Sequence, residues 1–146
     1  MREIKFRAKS GTQWRYGDLY HNERGELMIY EPMSRGETLD GVPFDGWRIA
    51  VDPKTVGQYV GLKDSEGREI YEGDVVLVSE SGEESKHEVR YMDDQDYPAF
   101  DLIPSSVRWA YESNGLSYCM VGYDANIEIR VIGNVHDNPG LLERKP

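Results

Sequence analysis

Apolar and polar residues alternate with a period of two along most of this chain, which is the signature of half-buried β-strands. Residues 3–8 (EIKFRA) place Ile4, Phe6 and Ala8 on one face. Residues 14–20 and 26–30 flank the stretch HNERG, where Asn22 and Gly25 supply turn chemistry, so a first hairpin is expected there. Residues 31–48 carry Pro32, Gly36, Gly41, Pro43 and Gly46, a spacing that predicts a long loop, followed by a short strand over residues 47–51. Asp52 and Pro53 suit the cap and first position of one helical turn. The chain then extends through Val56, Tyr59 and Leu62.

The stretch GLKDSEGREIYEGDVVLV, residues 61–78, has the densest turn signals. Asp64 can bond its own backbone two residues on, and Gly67 takes a positive φ without a steric penalty. A second tight turn is expected at Glu72, Gly73 and Asp74, where Asp74 would hold a backbone N–H at a barrel corner. Four consecutive apolar residues, 75–78, suit a strand buried on both faces. Further strands are expected at residues 87–92, 99–103 and 127–132. Residues 105–111 fit both a helix and a strand. Asn114 and Gly115 favour a strand there, with its partner at 116–123. Leu141, Leu142 and Glu143 suggest a last helical turn. The whole predicts a mainly β fold: a small barrel or sandwich of eight or more short strands with one or two helical turns.

Length and charge refine this picture. With 146 residues the chain suits a single domain over 1–146. Between residues 79 and 101 eight acids face two bases, Lys86 and Arg90, so this segment is expected to be an exposed acidic insertion around its one strand. The net charge is -10, from 17 basic and 27 acidic residues, which argues against general nucleic-acid binding and against membranes. The opening residues lack the apolar core of a secretory leader, and no run reaches the length of a membrane helix. With Cys119 as the lone cysteine, no intrachain disulfide is expected, which fits a reducing cytoplasm.

Candidate chemistry is sparse. His21, His87 and His136 stand far apart, the acids at 93–96 fail the calcium-loop spacing, and no serine elbow or phosphate loop occurs. No catalytic residue, metal ligand or cofactor is therefore assigned. Glu69 and Glu72 read as solvated turn residues, and Ser79, Ser81 and Ser85 as polar surface. What stands out is aromatic content: ten Tyr and three Trp against three Phe. Trp14, Trp47 and Trp109 are candidate contact anchors, with Tyr59 beside them.

Three blocks together, KFRA near the start, TVGQYVGLKDSEGREIYEGDVV in the centre and EIRVIGNVHDNPGLL near the end, resemble the YopX family of small phage and prophage proteins. Tyr59, Gly61, Leu62, Asp64, Gly67, Ile70, Tyr71, Gly73 and Asp74 match its central pattern. After KFRA the family usually carries an aromatic residue and an acid, where this chain has Lys9 and Ser10. The resemblance implies a mainly β, cytoplasmic protein of phage origin and supplies no reaction. The expected function is noncatalytic: an accessory protein that binds a host or phage protein or associates with itself. Two other readings compete. One is an acidic decoy that mimics DNA before a host enzyme. The other is a small-barrel binder of single-stranded nucleic acid, resting on the five bases among the first 15 residues, Arg2, Lys5, Arg7, Lys9 and Arg15.

Overall fold

The computed structural model describes residues 2–33, 38–43, 45–92, 98–103, 116 and 126–142. Contacts divide the chain into two compact units, residues 1–59 and 60–146.

In the first unit, β1 (Phe6–Ser10) turns at Gly11 and Thr12 into β2 (Gln13–His21). The hairpin at HNERG leads on to β3 (Leu27–Pro32). Asn22 closes that turn as expected: its side-chain Oδ1 accepts from the N–H of Arg24 at 3.0 Å and of Glu26 at 2.9 Å. The stretch read as one long loop holds a small hairpin, β4 (Thr38–Leu39) with β5 (Val42–Pro43), and the short strand expected at 47–51 follows as β6 (Gly46–Ala50). Its prolines and glycines break long elements but are compatible with very short ones; Asp40 and Gly41 take positive φ to make the turn. The order here is β6-β3-β2-β1, and β1 also pairs with the start of β7 (Gly57–Lys63), at Gln58 and Gly57. All these pairings are antiparallel. Ala8, Ile29 and Val51 form the buried core, with Phe6, Leu19, Leu27 and Val56 against it. The expected helical turn is a 3-10 turn, Pro53–Thr55, capped by Asp52, whose carboxylate accepts from the Lys54 N–H at 3.0 Å.

In the second unit, the end of β7 is followed by β8 (Glu69–Tyr71), then by a four-stranded antiparallel sheet. Its order is β11-β10-β9-β12, with β9 (Asp74–Glu80), β10 (Glu83–Tyr91), β11 (Phe100–Ile103) and β12 (Ile127–Asn134). β9 lies between β10 and β12, which is why its apolar run is buried on both faces at Val75, Val76 and Val78. Ile70, Val76, Val78, Val89, Leu102, Leu116 and Ile129 make the core. β10 begins four residues before the expected strand at 87. Residues 83–86 are exposed, so backbone pairing with β9 extends the strand there, not burial. β12 runs to Asn134, past a bulge between Val131 and Gly133.

The fold is therefore mainly β with more than eight strands, as the pattern predicts. The barrel is corrected: among the described residues both sheets have open ends. The turn before Asp74 thus feeds an open sheet and is no barrel corner. Residues 141 and 142 lie in a turn, and Glu143 of the expected helical turn lies outside the described residues. The strand-or-helix ambiguity at 105–111, the turn at Asn114 and Gly115, Trp109 and Cys119 lie outside the described residues. So does the strand expected at 116–123, apart from the buried Leu116.

Candidate interaction surface

The central block is built as a latch. Asp64 is 6% exposed, and one of its carboxylate oxygens accepts from the N–H groups of Glu66 at 2.9 Å and Arg68 at 2.8 Å. The other oxygen reaches out of the turn and accepts from the Val131 N–H at 2.9 Å. Ser65 takes the next rung: its N–H donates to the Ile129 carbonyl at 2.8 Å, and its hydroxyl accepts from the Ile129 N–H at 3.0 Å. Arg68 completes the contact by donating to the Val131 carbonyl at 3.1 Å. The turn between β7 and β8 therefore satisfies the outward backbone groups of β12, which would otherwise be an open edge. Asp74 acts more locally, accepting from the Tyr71 N–H at 2.8 Å. Gly67 and Gly73 take positive φ at the two turns, while Tyr59, Ile70 and Tyr71 are buried. Leu62 packs against the core.

In the first unit an edge strand is treated differently. β6 pairs with β3, and no described strand lies on its far side. Trp47, its second residue, is 50% exposed. The neighbouring Arg48 stacks over the Tyr30 ring at 5.1 Å and donates to the carboxylate of Asp45 at 3.3 and 3.4 Å. That hydrogen-bonded pairing holds the Asp45 carboxyl below its ordinary range and raises the Arg48 guanidinium further. The Tyr30 hydroxyl donates to the Asp45 carbonyl at 2.7 Å. Gly46 makes this closeness possible, because a Cβ there would sit 2.3 Å from the Glu31 carbonyl oxygen and 2.8 Å from the Tyr30 ring. The result is a Trp and an Arg presented on the edge strand, with Tyr30 of β3 paired beside the Arg.

The basic residues of the first strand are not a free cationic patch. Arg7 is 6% exposed and lies 4.6 Å from the Trp14 ring, with Lys9 at 5.7 Å from the same ring. Lys5 stands 5.4 Å from Tyr59. Strand alternation explains this: Lys5, Arg7 and Lys9 share the face opposite Phe6 and Ala8, and the registers bring Trp14 and Tyr16 beside them. Arg15 leaves the group and pairs with Glu31 at 3.3 Å.

One pairing was missed by the sequence reading. Ser85 is not simply polar surface, for its hydroxyl lies 2.7 Å from Nε2 of the buried His87. Serine and histidine two apart on a strand share a face, so the spacing itself was the available signal. Among the described residues no three His, Cys, Asp or Glu side chains gather as a metal site, and no helix is long and apolar enough to cross a membrane.

These features define a class first: a two-unit, mainly β protein with an edge strand that exposes a tryptophan. The family profile described as YopX protein matches residues 5–143, and the chain belongs to the YopX family. The crystal structure of YopX from Bacillus subtilis is similar over 100% of both chains, at 21% identity and a TM-score of 0.55. That of EF1440 from Enterococcus faecalis covers 98% of this chain and 100% of its own, at 21% identity and a TM-score of 0.49. The likeness to the Bacillus subtilis protein is one of fold. No curated protein matches the chain.

Proposed function

We propose that this YopX-family protein is a noncatalytic phage accessory protein that binds another protein by strand addition at β6. The observation that carries this reading is the contrast between two edges. The β12 edge is closed by Asp64, Ser65 and Arg68, whereas β6 ends its sheet among the described residues and carries Trp47 half exposed. Exposed edge strands are usually blunted by charge, proline or a covering segment. An edge that keeps a tryptophan and an arginine has the composition of an interaction hot spot. An extended segment docked there would gain backbone hydrogen bonds from β6, an apolar contact from Trp47 and an acidic partner for Arg48.

The nucleic-acid reading has less support. Three of the five cations it relied on, Lys5, Arg7 and Lys9, lie over Trp14 or Tyr59, Arg7 is buried and Arg15 is paired with Glu31, so they are poorly placed to neutralise phosphates. The decoy reading needs a regular array of carboxylates, and Arg90 on β10 is drawn to Glu88 at 3.3 Å, which interrupts one.

The test is capture from a bacterial host lysate with tagged wild-type protein and with Trp47→Glu. A partner retained by the wild type and lost by the variant is the expected result, with new amide-exchange protection at residues 46–50 in the purified complex. Equal capture by both proteins overturns the assignment to β6.

A further inference from the structure

We infer that the strand added at β6 is the β6 of a second copy, so that two first units join into one continuous sheet about a two-fold axis. This rests on the proposed reading of β6 as a docking edge. Its first argument is charge. Residues 1–59 hold nine basic and nine acidic residues, whereas residues 60–146 hold eight basic and eighteen acidic. The whole net charge of -10 is therefore carried by the second unit. Two copies repel through their second units and meet without net repulsion only through their first.

The second argument is register. In an antiparallel pair, residues directly opposite one another lie on the same face of the sheet. A two-fold axis keeps each residue on its own face, so the axis must pass through a residue, which then faces its own copy. Centring on Arg48 would set two guanidinium groups opposite each other, an unfavourable cross-strand pair. Centring on Trp47 sets the two indoles opposite each other, as an aromatic cross-strand pair. It also sets each Arg48 across from the bare Cα of the other copy's Gly46. That position has no side chain to clash, because Gly46 is already held side-chain-free by the Glu31 carbonyl and the Tyr30 ring. The same glycine thus serves both the fold and the pairing. Trp47 is the axis residue, and Arg48 extends across the seam.

Sedimentation and light scattering over a range of protein concentrations test this, together with oxidative crosslinking in a Cys119→Ser background. The expected result is a dimer whose dissociation constant rises about tenfold or more in Trp47→Glu. Trp47→Cys crosslinks two copies under mild oxidation, since opposed Cβ atoms lie about 4.5–5.5 Å apart, close to what a disulfide spans. Arg48→Cys does not, because it faces glycine. The crosslinking arm does not depend on the folding of the glutamate variant. A wild-type protein that stays monomeric throughout overturns the inference, as does a dimer unchanged by Trp47→Glu or one crosslinked at 48 and not at 47. A monomer that still forms a Trp47-dependent complex with a different protein overturns only the second copy. A monomer whose complexes ignore Trp47 overturns the docking edge as well.

Discussion

Among single residues, Asp64 has the most demanding position. One buried carboxylate accepts three backbone N–H groups, from Glu66, Arg68 and Val131, and so joins a turn to a strand more than sixty positions away. Removing it leaves three part-buried donors without that acceptor, which costs more than the hydrogen bonds themselves contribute. Asp64→Ala is expected to lower stability by about 3 kcal/mol, read as a lower urea midpoint with an unchanged slope. Exposed Asp45 behaves differently. Its hydrogen bonds from Arg48 favour the carboxylate, so its folded titration midpoint lies below the unfolded one. The Asp45–Arg48 contact is therefore fully present above the unfolded midpoint and is lost as pH falls through the folded one. Carboxyl NMR titration is expected to show this low midpoint in the wild type and its return to the ordinary range in Arg48→Ala.

At the scale of elements, β3 is the strand that its neighbours close on most tightly. A Cβ at Gly17 would lie 1.9 Å from the Tyr30 carbonyl oxygen, and one at Gly46 would lie 2.3 Å from that of Glu31. Both contacts are with backbone, so they cannot relax by rotating a side chain. At Gly25 an added Cβ meets nothing within 4 Å, and only its φ of +80° opposes substitution. Gly17→Ala is expected to destabilise by clearly more than Gly25→Ala, whose cost is about 1 kcal/mol; thermal melts of the two variants decide it. The turn at Gly25 was legible, because the asparagine before it and the flanking alternation are local. The need for glycine at 17 was not, since it arises only when β3 lies against β2. The same holds for the stretch read as a loop over 31–48. Local breakers predicted no regular element before the short strand expected at 47–51, and pairing of β4 with β5 made regular structure there. Likewise, nothing in the polar sequence of residues 83–86 foretold a strand, which forms there by pairing with β9.

The molecule as a whole has two units with separate cores and an uneven charge. Eighteen acids against eight bases in residues 60–146 repel one another in the folded unit. Added sodium chloride is expected to screen this and raise the unfolding midpoint. The same experiment in a variant of the second unit with several exposed acids neutralised, Glu83→Gln, Glu84→Gln and Glu128→Gln, is expected to show a smaller salt response. Fluorescence anisotropy with single-stranded oligonucleotides at low salt is expected to stay flat, because Lys5, Arg7 and Lys9 are already placed over aromatic rings and Arg15 is paired with Glu31.

By itself, the sequence determined the β class, the turns at Asn22 and Gly25, the Asp52 cap, the double burial of β9 and the family. Each depends on residues close together in the chain, where alternation, side-chain-to-backbone reach and positive φ act over a few positions. The tertiary structure alone decided that the sheets stay open and that the sequence motif around Asp64 closes the edge of β12. It also decided that Arg7 is buried beside Trp14, and that Trp47 ends on an edge strand. These depend on which strands pair and in what register, and that choice is made by burying two separate apolar cores, between residues far apart in sequence.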